Sequence, residues 1–304
     1  MGFDISTLLK RTGRKTLDDR VTTLAAQTAY YSFFSLFPLL LFLAPLMTLL
    51  VDQGAMMQFV TGRLSAVLPP EALEPVTKVL TDGVFVDDAP GLMSIGAVLA
   101  AWSGSNIFRA LTVALNLAYE VEEFRPWWRQ QLVRLGMLAG GGTVMIVATV
   151  VLLAGDTIAR AVGAAVGLGT QTVALWNFIQ FPVAFAFVVL LAFLIYWLLP
   201  NVRQRKRHVL VAAIITSVLW LMATLLFRFY VQHFPPNPAY GVIGGIMILL
   251  TWMYVTMFVV LAVGELASEM HKGTGAVNGR EGTTYFGRIV SGERPGQTSR
   301  TSAA

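Results

Sequence analysis

Six apolar segments, each long enough to cross a lipid bilayer, dominate the sequence. Crossing about 30 Å of hydrocarbon at about 1.5 Å per residue requires a helix of about 20 residues. Backbone groups in lipid must be hydrogen-bonded within their own segment, so each crossing is expected to be helical. We therefore predict an all-α, polytopic membrane protein with six transmembrane helices, at residues 29–51, 91–118, 132–154, 173–199, 209–231 and 241–264.

The composition supports a membrane protein and excludes several kinds of site. Hydrophobic residues make up 56% of the chain and charged residues 13%, whereas soluble domains carry about 25% charged residues. Cysteine is absent, which excludes disulfides, thiolate metal sites and a cysteine nucleophile. His208, His233 and His271 lie in different segments without the spacing of metal ligands. We therefore expect no metal site, no cofactor and no catalytic cluster.

Lysine and arginine gather in alternate connections of the chain. The N-terminal segment, the loop after Tyr119, the loop after Pro200 and the C-terminal tail are all basic, and six crossings place them on one side. The positive-inside rule then puts both termini in the cytoplasm and predicts a multi-pass protein of a bacterial cytoplasmic (inner) membrane. Polar residues run to about Arg20 before the first apolar stretch, so no cleavable signal peptide is expected.

The segments between and beyond the crossings complete the predicted organisation. Residues 1–24 form a cytoplasmic basic segment, 25–272 the transmembrane domain, and 273–304 a cytoplasmic tail whose Gly, Ser, Thr and Arg content predicts disorder. The long outer loop covers 52–90. Within it, apolar residues at helical spacing predict short amphipathic helices at 56–68 and 71–84, which would lie on the outer surface or cap the bundle.

Polar side chains form stripes along the second, fifth and sixth predicted crossings. Ionisable groups within a membrane usually face a cavity or a partner, so three such stripes could line one water-accessible pocket. The alternative is that the charged residues near helix ends extend to the interface and that Ser and Thr pack between helices. The candidate cavity-lining residues are Trp102, Ser105, Asn106, Arg109, Asn116, Ser217, Trp220, Thr224, Arg228, Thr251, Tyr254 and Glu265; Glu120 continues the first stripe.

Four sequence motifs resemble one known family when they are taken in order. The chain reads AAQTAYYSFFSLFP at 25–38, WSGS at 102–105 leading into ALNLAY at 114–119, LPN at 199–201, and YGVIGG at 240–245 leading through LTWMY at 250–254 to GEL at 264–266. These motifs are similar to those of the YihY/virulence factor BrkB family, over roughly residues 24–269. The chain departs from that pattern where relatives carry Pro-Gly at the start of the fifth crossing. The resemblance implies a six-helix inner-membrane protein. It implies no settled activity, since relatives have been labelled ribonuclease BN, tied to virulence, or proposed to transport lipid.

Function is predicted from the polar stripes and from the lack of catalytic motifs. The leading hypothesis is transport or transbilayer movement of a small or amphiphilic solute, lipid included. The alternative is a non-catalytic envelope assembly protein that acts through its outer amphipathic loop, and association with an envelope partner or with a second copy is left open. A ribonuclease would need clustered metal ligands, and no P-loop, G-x-S-x-G or H-E-x-x-H motif is present. We therefore expect no enzyme.

The net charge of +5 has a simple explanation in the cytoplasmic loops of a membrane protein. Nucleic acid is therefore not an expected partner, whereas membrane lipids are. The most basic loop could bind anionic lipid headgroups, although holding the topology is a sufficient role for it. The residues concerned are Arg203, Arg205, Lys206 and Arg207.

Overall fold

The computed structural model describes residues 5–50, 89–166, 170–233 and 241–272, and the regular secondary structure in these ranges is α-helix throughout. The described helices are α1 (Ile5–Asp18), α2 (Val21–Leu50), α3 (Ala89–Ala118), α4 (Trp127–Val166), α5 (Thr170–Leu198), α6 (Lys206–His233) and α7 (Gly241–Lys272). The all-α prediction is thereby confirmed for the described residues. The predicted helices at 56–68 and 71–84 and the tail at 273–304 lie outside them.

Five segments of the described helices are long and apolar enough to cross a membrane, which makes this a membrane protein with several candidate spans. They are Ser94–Ala118, Trp127–Ala148, Leu175–Leu198, Lys206–His233 and Ile243–Lys272. The predicted first crossing, 29–51, falls on α2, whose side chains are described only in part beyond Leu39. The sixth crossing and the orientation of the termini therefore stay predictions.

Several helices continue past the predicted crossings. Helix α4 runs for 40 residues, whereas a bilayer needs about 20, so residues 155–166, which lie between the third and fourth predicted crossings, are helical. Helix α4 begins directly after Pro126, and proline is favoured just before and at the first helical position. Helix α7 extends to Lys272, eight residues beyond its predicted end at 264. The basic N-terminal segment contains a further helix, α1.

The chain forms two compact units. The first comprises residues 1–28 and 108–304, and the second comprises residues 29–107. In the first unit, α4 packs against α5, α5 against α6, and α6 against α7, while α1 packs against α7. In the second unit, the aromatic motif of α2 forms a ladder, with the rings of Tyr30 and Phe34 4.5 Å apart.

A buried tyrosine joins three helices of the first unit. Tyr196 of α5 is fully buried, and its hydroxyl donates to the backbone oxygen of Val260 of α7 at 2.6 Å. A tyrosine hydroxyl has a single proton, so Thr216 of α6 is the donor in the second contact, at 2.7 Å. These two hydrogen bonds fix the spacing of α5, α6 and α7 near the C-terminal end of α5.

Glycine at position 264 lets α7 approach α3 and α5 closely, near the hydrogen bonds of Tyr196. A Cβ atom placed on Gly264 would lie 2.7 Å from Cδ2 of Leu115, at the end of α3, and 3.7 Å from Cε1 of Tyr196. The first distance is shorter than carbon atoms tolerate without displacement. The glycine of the GEL motif therefore has a packing role, which positions the next residue, Glu265, against the end of α3.

Candidate functional site

The C-terminal end of α3 is a Schellman turn built on a residue that is not glycine. The amide of Val121 donates to the carbonyl of Asn116 at 3.0 Å, and the amide of Glu120 donates to the carbonyl of Leu117 at 2.9 Å. This pattern requires a left-handed backbone at the residue directly before Val121, and that position is usually occupied by glycine. Here that residue is Glu120, with φ of 56°. The conformation is costly for a residue with a side chain, so other contacts must stabilise it.

Those contacts come from two lysines. The Oε1 atom of Glu120 lies 2.7 Å from Nζ of Lys15 on α1 and 2.8 Å from Nζ of Lys272 at the end of α7. Lys15 also lies 3.8 Å from Oε1 of Glu269. We call this cluster, together with Asp19 and Glu265, the lysine junction; its members are Lys15, Asp19, Glu120, Glu265, Glu269 and Lys272. It joins α1, α3 and α7 at one end of the first unit.

A backbone oxygen at the end of α3 is also part of this connection. The carbonyl of Ala118 accepts a hydrogen bond from the Ser268 hydroxyl at 2.6 Å and one from Lys15 Nζ at 3.2 Å. The last carbonyls of a helix lack partners within the helix and carry its partial negative charge, so a cation is favourable there. Lys15 therefore neutralises both the carboxylate of Glu120 and the end of α3.

Two carboxyl groups meet beside the lysines. The side chains of Asp19 and Glu265 are close enough to interact electrostatically, and Glu265 is 1% exposed. Within the described part of the chain, Oδ2 of Asp19 and Oε2 of Glu265 are buried and receive no hydrogen bond from a donor group. Two buried carboxylates that interact cannot both be ionised at low cost, so the neutral form of one of them is favoured.

The electrostatics of the lysine junction differ from one acid to the next. Burial raises the pKa of Asp19, and the nearby positive charge of Lys15 offsets only part of the rise. Burial would also raise the pKa of Glu120, but the hydrogen bonds from Lys15 and Lys272 outweigh it and lower the pKa overall. For Lys15, burial lowers the pKa, and the contact with Glu120 reverses this into a net rise. At neutral pH, Glu120 and Lys15 are therefore charged.

A second network fastens the loop after α3 to the loop after α5. Asn116 donates from Nδ2 to Oε2 of Glu123 at 3.0 Å and accepts from the amide of Asn201 at 2.8 Å. The side chain of Asn201 in turn donates to the carbonyl of Glu122 at 3.1 Å. The side chains of Asn116 and Asn201 thus connect the loop after α3 to the loop after α5. This contact explains the asparagines of the ALNLAY and LPN motifs.

Arg125 closes this network over the end of α5. Its guanidinium donates to the carbonyls of Leu198, Leu199 and Pro200, at 3.3, 3.2 and 2.9 Å. Leu198 is the last residue of α5, whose final carbonyls lack partners within the helix, and Leu199 and Pro200 follow it directly. We call this contact the Arg125 clamp. It holds the basic loop that follows Pro200 against the start of α4.

The sequence-predicted residues of the first unit lie in several different environments. Glu265 belongs to the lysine junction and Asn116 to the loop network. The hydroxyls of Ser217 and Thr251 donate to their own helices, at Ala213 and Met247, as hydroxyls commonly do in membrane helices. The others are distributed as follows: Arg109 and Arg228 are exposed, while Thr224 and Tyr254 are half-buried.

Of the predicted stripe residues in the first unit, Trp220 makes a defined polar contact between α6 and α7. Its Nε1 donates to Oγ1 of Thr256 at 3.2 Å, and its ring meets that of Trp252 edge-on. In the second unit, Trp102 is exposed, Ser105 is buried with its hydroxyl bonded to the carbonyl of Trp102, and Asn106 is half-buried. A common cavity lined by the three stripes stays a prediction.

Sequence reasoning did not single out most of the lysine junction. Lys15 and Lys272 counted only as charges that set the orientation, and Asp19 and Glu269 were not considered. One signal was available: the helix that ends at Ala118 has no glycine after it, although a helix end of this kind usually has one. A non-glycine residue at that position indicates that its side chain makes a stabilising contact.

Comparison with known proteins places the chain in a family. The family model described as "Virulence factor BrkB" matches residues 12–283. A protein of Bacillus subtilis (strain 168) named as ribonuclease-like, YfkH, is 29% identical over 249 residues, which is 82% of this chain and 89% of the relative. A UPF0761 membrane protein of Pseudoalteromonas atlantica is 27% identical over 260 residues, 82% of this chain and 80% of the relative. No solved structure matches. The resemblance seen in the motifs is thereby confirmed, and the chain belongs to the BrkB virulence-factor family of membrane proteins.

Proposed function

We propose that the protein translocates a small or amphiphilic solute, lipids included, across a bacterial cytoplasmic membrane. The observation that carries the proposal is the carboxyl pair of Asp19 and Glu265. Glu265 is fully buried on a helix of membrane length. Burying an ionisable group costs several kcal/mol in order of magnitude, and membrane proteins keep such groups mainly along paths for ions, protons or substrates.

The lysine junction suggests how such a translocator changes state. Helix α1 is held to α3 and α7 through Lys15, Glu120 and Lys272, so these contacts can separate or re-form without breaking a helix. Binding or loss of a proton at the carboxyl pair changes the charge beside them. In this proposal, protonation of the pair is coupled to the position of α1 relative to α7.

The proposal includes six crossings with both termini in the cytoplasm. The natural lack of cysteine makes this directly measurable. Single cysteines at Lys10 and at Arg203 should react with a membrane-impermeant thiol reagent only after cells are permeabilised, whereas a cysteine at Asp87 should react in intact cells. Reaction of the Lys10 and Asp87 variants under the same condition would contradict the topology.

The translocation proposal is tested by reconstitution. The purified full chain in vesicles should accelerate transbilayer movement of fluorescent phospholipids or efflux of entrapped small solutes, relative to protein-free vesicles. Replacement of Asp19 by Asn should change the pH dependence of that movement. Asp18→Asn is the matched control, because Asp18 is the adjacent residue, is exposed and, among the described residues, forms an ion pair only with Arg14. Absence of acceleration for every solute class tested, with folded protein, would refute the proposal.

The name of the Bacillus subtilis relative brings a second candidate, RNA hydrolysis. Among the described residues, no group of three or more His, Asp and Glu side chains is placed to hold a metal ion, so this candidate rests on the relative's name. Incubation of the same purified sample with labelled RNA tests it. Cleavage that co-purifies with the protein and is lost in a Glu265→Gln variant would favour hydrolysis over translocation.

A further inference from the structure

Exposed aromatic and basic side chains surround the Arg125 clamp. On the α4 side, Trp128 is 52% exposed and is followed by the exposed Arg129; on the α5 side, Trp197 is 40% exposed and faces Lys206. Arg203 and Arg205 are also exposed. We call these six residues the basic rim: Trp128, Arg129, Trp197, Arg203, Arg205 and Lys206. None of them contributes to the lysine junction.

The two tryptophans and two of the cations form matched pairs. Cζ of Arg129 lies 5.1 Å from the centre of the Trp128 ring, and Nζ of Lys206 lies 5.1 Å from the centre of the Trp197 ring. A cation within about 6 Å of an indole is attracted to the face of the ring. Each pair therefore presents an apolar, polarisable surface and a positive charge side by side.

The Arg125 clamp brings the two pairs to the same end of the first unit. Arg125 lies three residues before Trp128 and binds the carbonyls of Leu198, Leu199 and Pro200, directly after Trp197. The side chain of Asn201 adds a bond to the carbonyl of Glu122. The residues from 201 to 207 contain four basic side chains and no acidic one, so the surface that results has a strong positive charge.

We propose that the basic rim binds the headgroup of an anionic phospholipid. Indole rings partition to the level of the headgroups, where their apolar face meets acyl chains and their polar edge meets water. Guanidinium and ammonium groups at that level bind the phosphate diester, and the attraction is stronger for a lipid with net negative charge. Positive charge alone would suffice to hold the topology. The paired indoles and the clamped loops, in contrast, would hold the cations at the level of the lipid headgroups.

The site is tested by the lipid that the full-length protein retains. Purified protein in detergent is equilibrated with phosphatidylglycerol and phosphatidylcholine of identical acyl chains, and bound lipid is counted by native mass spectrometry. Wild-type protein should retain phosphatidylglycerol in preference. In the double variant Arg129→Gln, Lys206→Gln, the ratio of retained phosphatidylglycerol to phosphatidylcholine should fall about tenfold, since each cation near a membrane surface contributes several-fold to anionic lipid binding. Trp197→Leu should reduce retention less, by about threefold.

A charge-matched control separates a site from general electrostatics. The double variant Arg11→Gln, Arg14→Gln removes the same charge from exposed positions on α1 and should keep the wild-type preference. Equal retention of the two lipids by wild-type protein would overturn the proposal, as would equal losses in the two double variants. Displacement of the bound lipid by an RNA oligonucleotide at matched phosphate concentration would assign the rim to nucleic acid and also overturn it. Retention is measured without any transport, so its outcome is independent of the proposed translocation.

Discussion

The carboxylate of Glu120 lies 2.7 Å from the ammonium of Lys15, across 105 positions of the chain, and it does so from a left-handed backbone. An unfavourable backbone conformation is therefore offset by a favourable ion pair at this point. The left-handed residue ends α3 and aims its side chain at α1, and the ion pair compensates for the backbone conformation. Lys272 binds the same oxygen, so the end of α7 also stabilises the left-handed conformation of Glu120.

Substitution of Glu120 should separate the backbone cost from the ion pair. Glu120→Ala keeps the left-handed strain and loses both lysine contacts, so it should be the most destabilising change. Glu120→Gly also loses the contacts but removes the strain, and it should be more stable than the alanine variant by about 1 kcal/mol. The free energy of unfolding, measured by denaturant titration in mixed micelles, provides the comparison. Equal stability of the two variants would show that the left-handed conformation carries no cost here.

Stability should depend on pH in opposite ways at Glu120 and Asp19. The pKa of Glu120 is lowered by folding from its ordinary value of 4.5, so its stabilising contribution is present above that value and is lost as pH falls through the lower folded pKa. The pKa of Asp19 is raised from 3.8, so its contribution is complete below 3.8 and is lost as pH rises through the higher folded pKa.

The two single variants should therefore change the pH profile in distinguishable directions. Asp19→Asn should remove the loss of stability above pH 3.8 and so raise stability at neutral pH relative to wild type. Glu120→Gln should lower stability at neutral pH and flatten the loss in acid. Thermal unfolding between about pH 3 and pH 8 tests both, with Asp18→Asn as the reference. A neutral-pH loss of stability in Asp19→Asn would contradict the raised pKa of Asp19.

Two glycines of α7 should respond differently to alanine. The Cβ atom of Gly264→Ala would lie 2.7 Å from Cδ2 of Leu115, and forcing a methyl group into a packed contact costs about 1–3 kcal/mol. A Cβ at Gly245 would meet nothing within 4 Å, so Gly245→Ala should be neutral or stabilising by up to about 1 kcal/mol through its helix propensity. Unfolding in mixed micelles measures both. The clash explanation also requires that Gly264→Ala costs less stability in a Leu115→Ala background than in wild type, as a double-mutant cycle would show.

The predicted cavity can be probed with single cysteines in the same cysteine-free chain. If the polar stripes line a water-filled path, cysteines at Asn106, Thr224 and Thr251 should react with an impermeant thiol reagent at rates above those of lipid-facing controls. Thr224 is the most informative position, because its hydroxyl is buried and has no hydrogen-bond partner among the described residues. A cysteine at Leu225, the exposed neighbouring residue, serves as the control. Protection at all three positions in folded protein would favour a closed bundle whose polar residues pack between helices.

Much of the helical layout followed from the sequence alone. Long apolar segments with few charges can satisfy their backbones in lipid only as helices, so helix type and approximate position were predictable from local composition. The family could also be identified, because the AAQTAYYSFFSLFP, LPN and GEL motifs keep their order and spacing. Helix ends were less predictable. Helix α7 continues eight residues past Gly264, where Lys272 pairs with Glu120, directly after α3, a contact that a hydropathy pattern does not contain.

What only the tertiary structure decided is the pairing of distant charges. Read along the chain, Lys15 is one charge of a basic segment and Glu120 is the last residue of a polar stripe, and no local periodicity connects them. Packing of α1 along α7, with Gly264 permitting close approach to Leu115, places Lys15, Glu120 and Lys272 at one point and buries Glu265 against Asp19. The sequence by itself determined which segments are helical and apolar, because those properties depend on neighbouring residues. The site depended on the fold, because electrostatic interactions act through space between residues that the chain holds far apart.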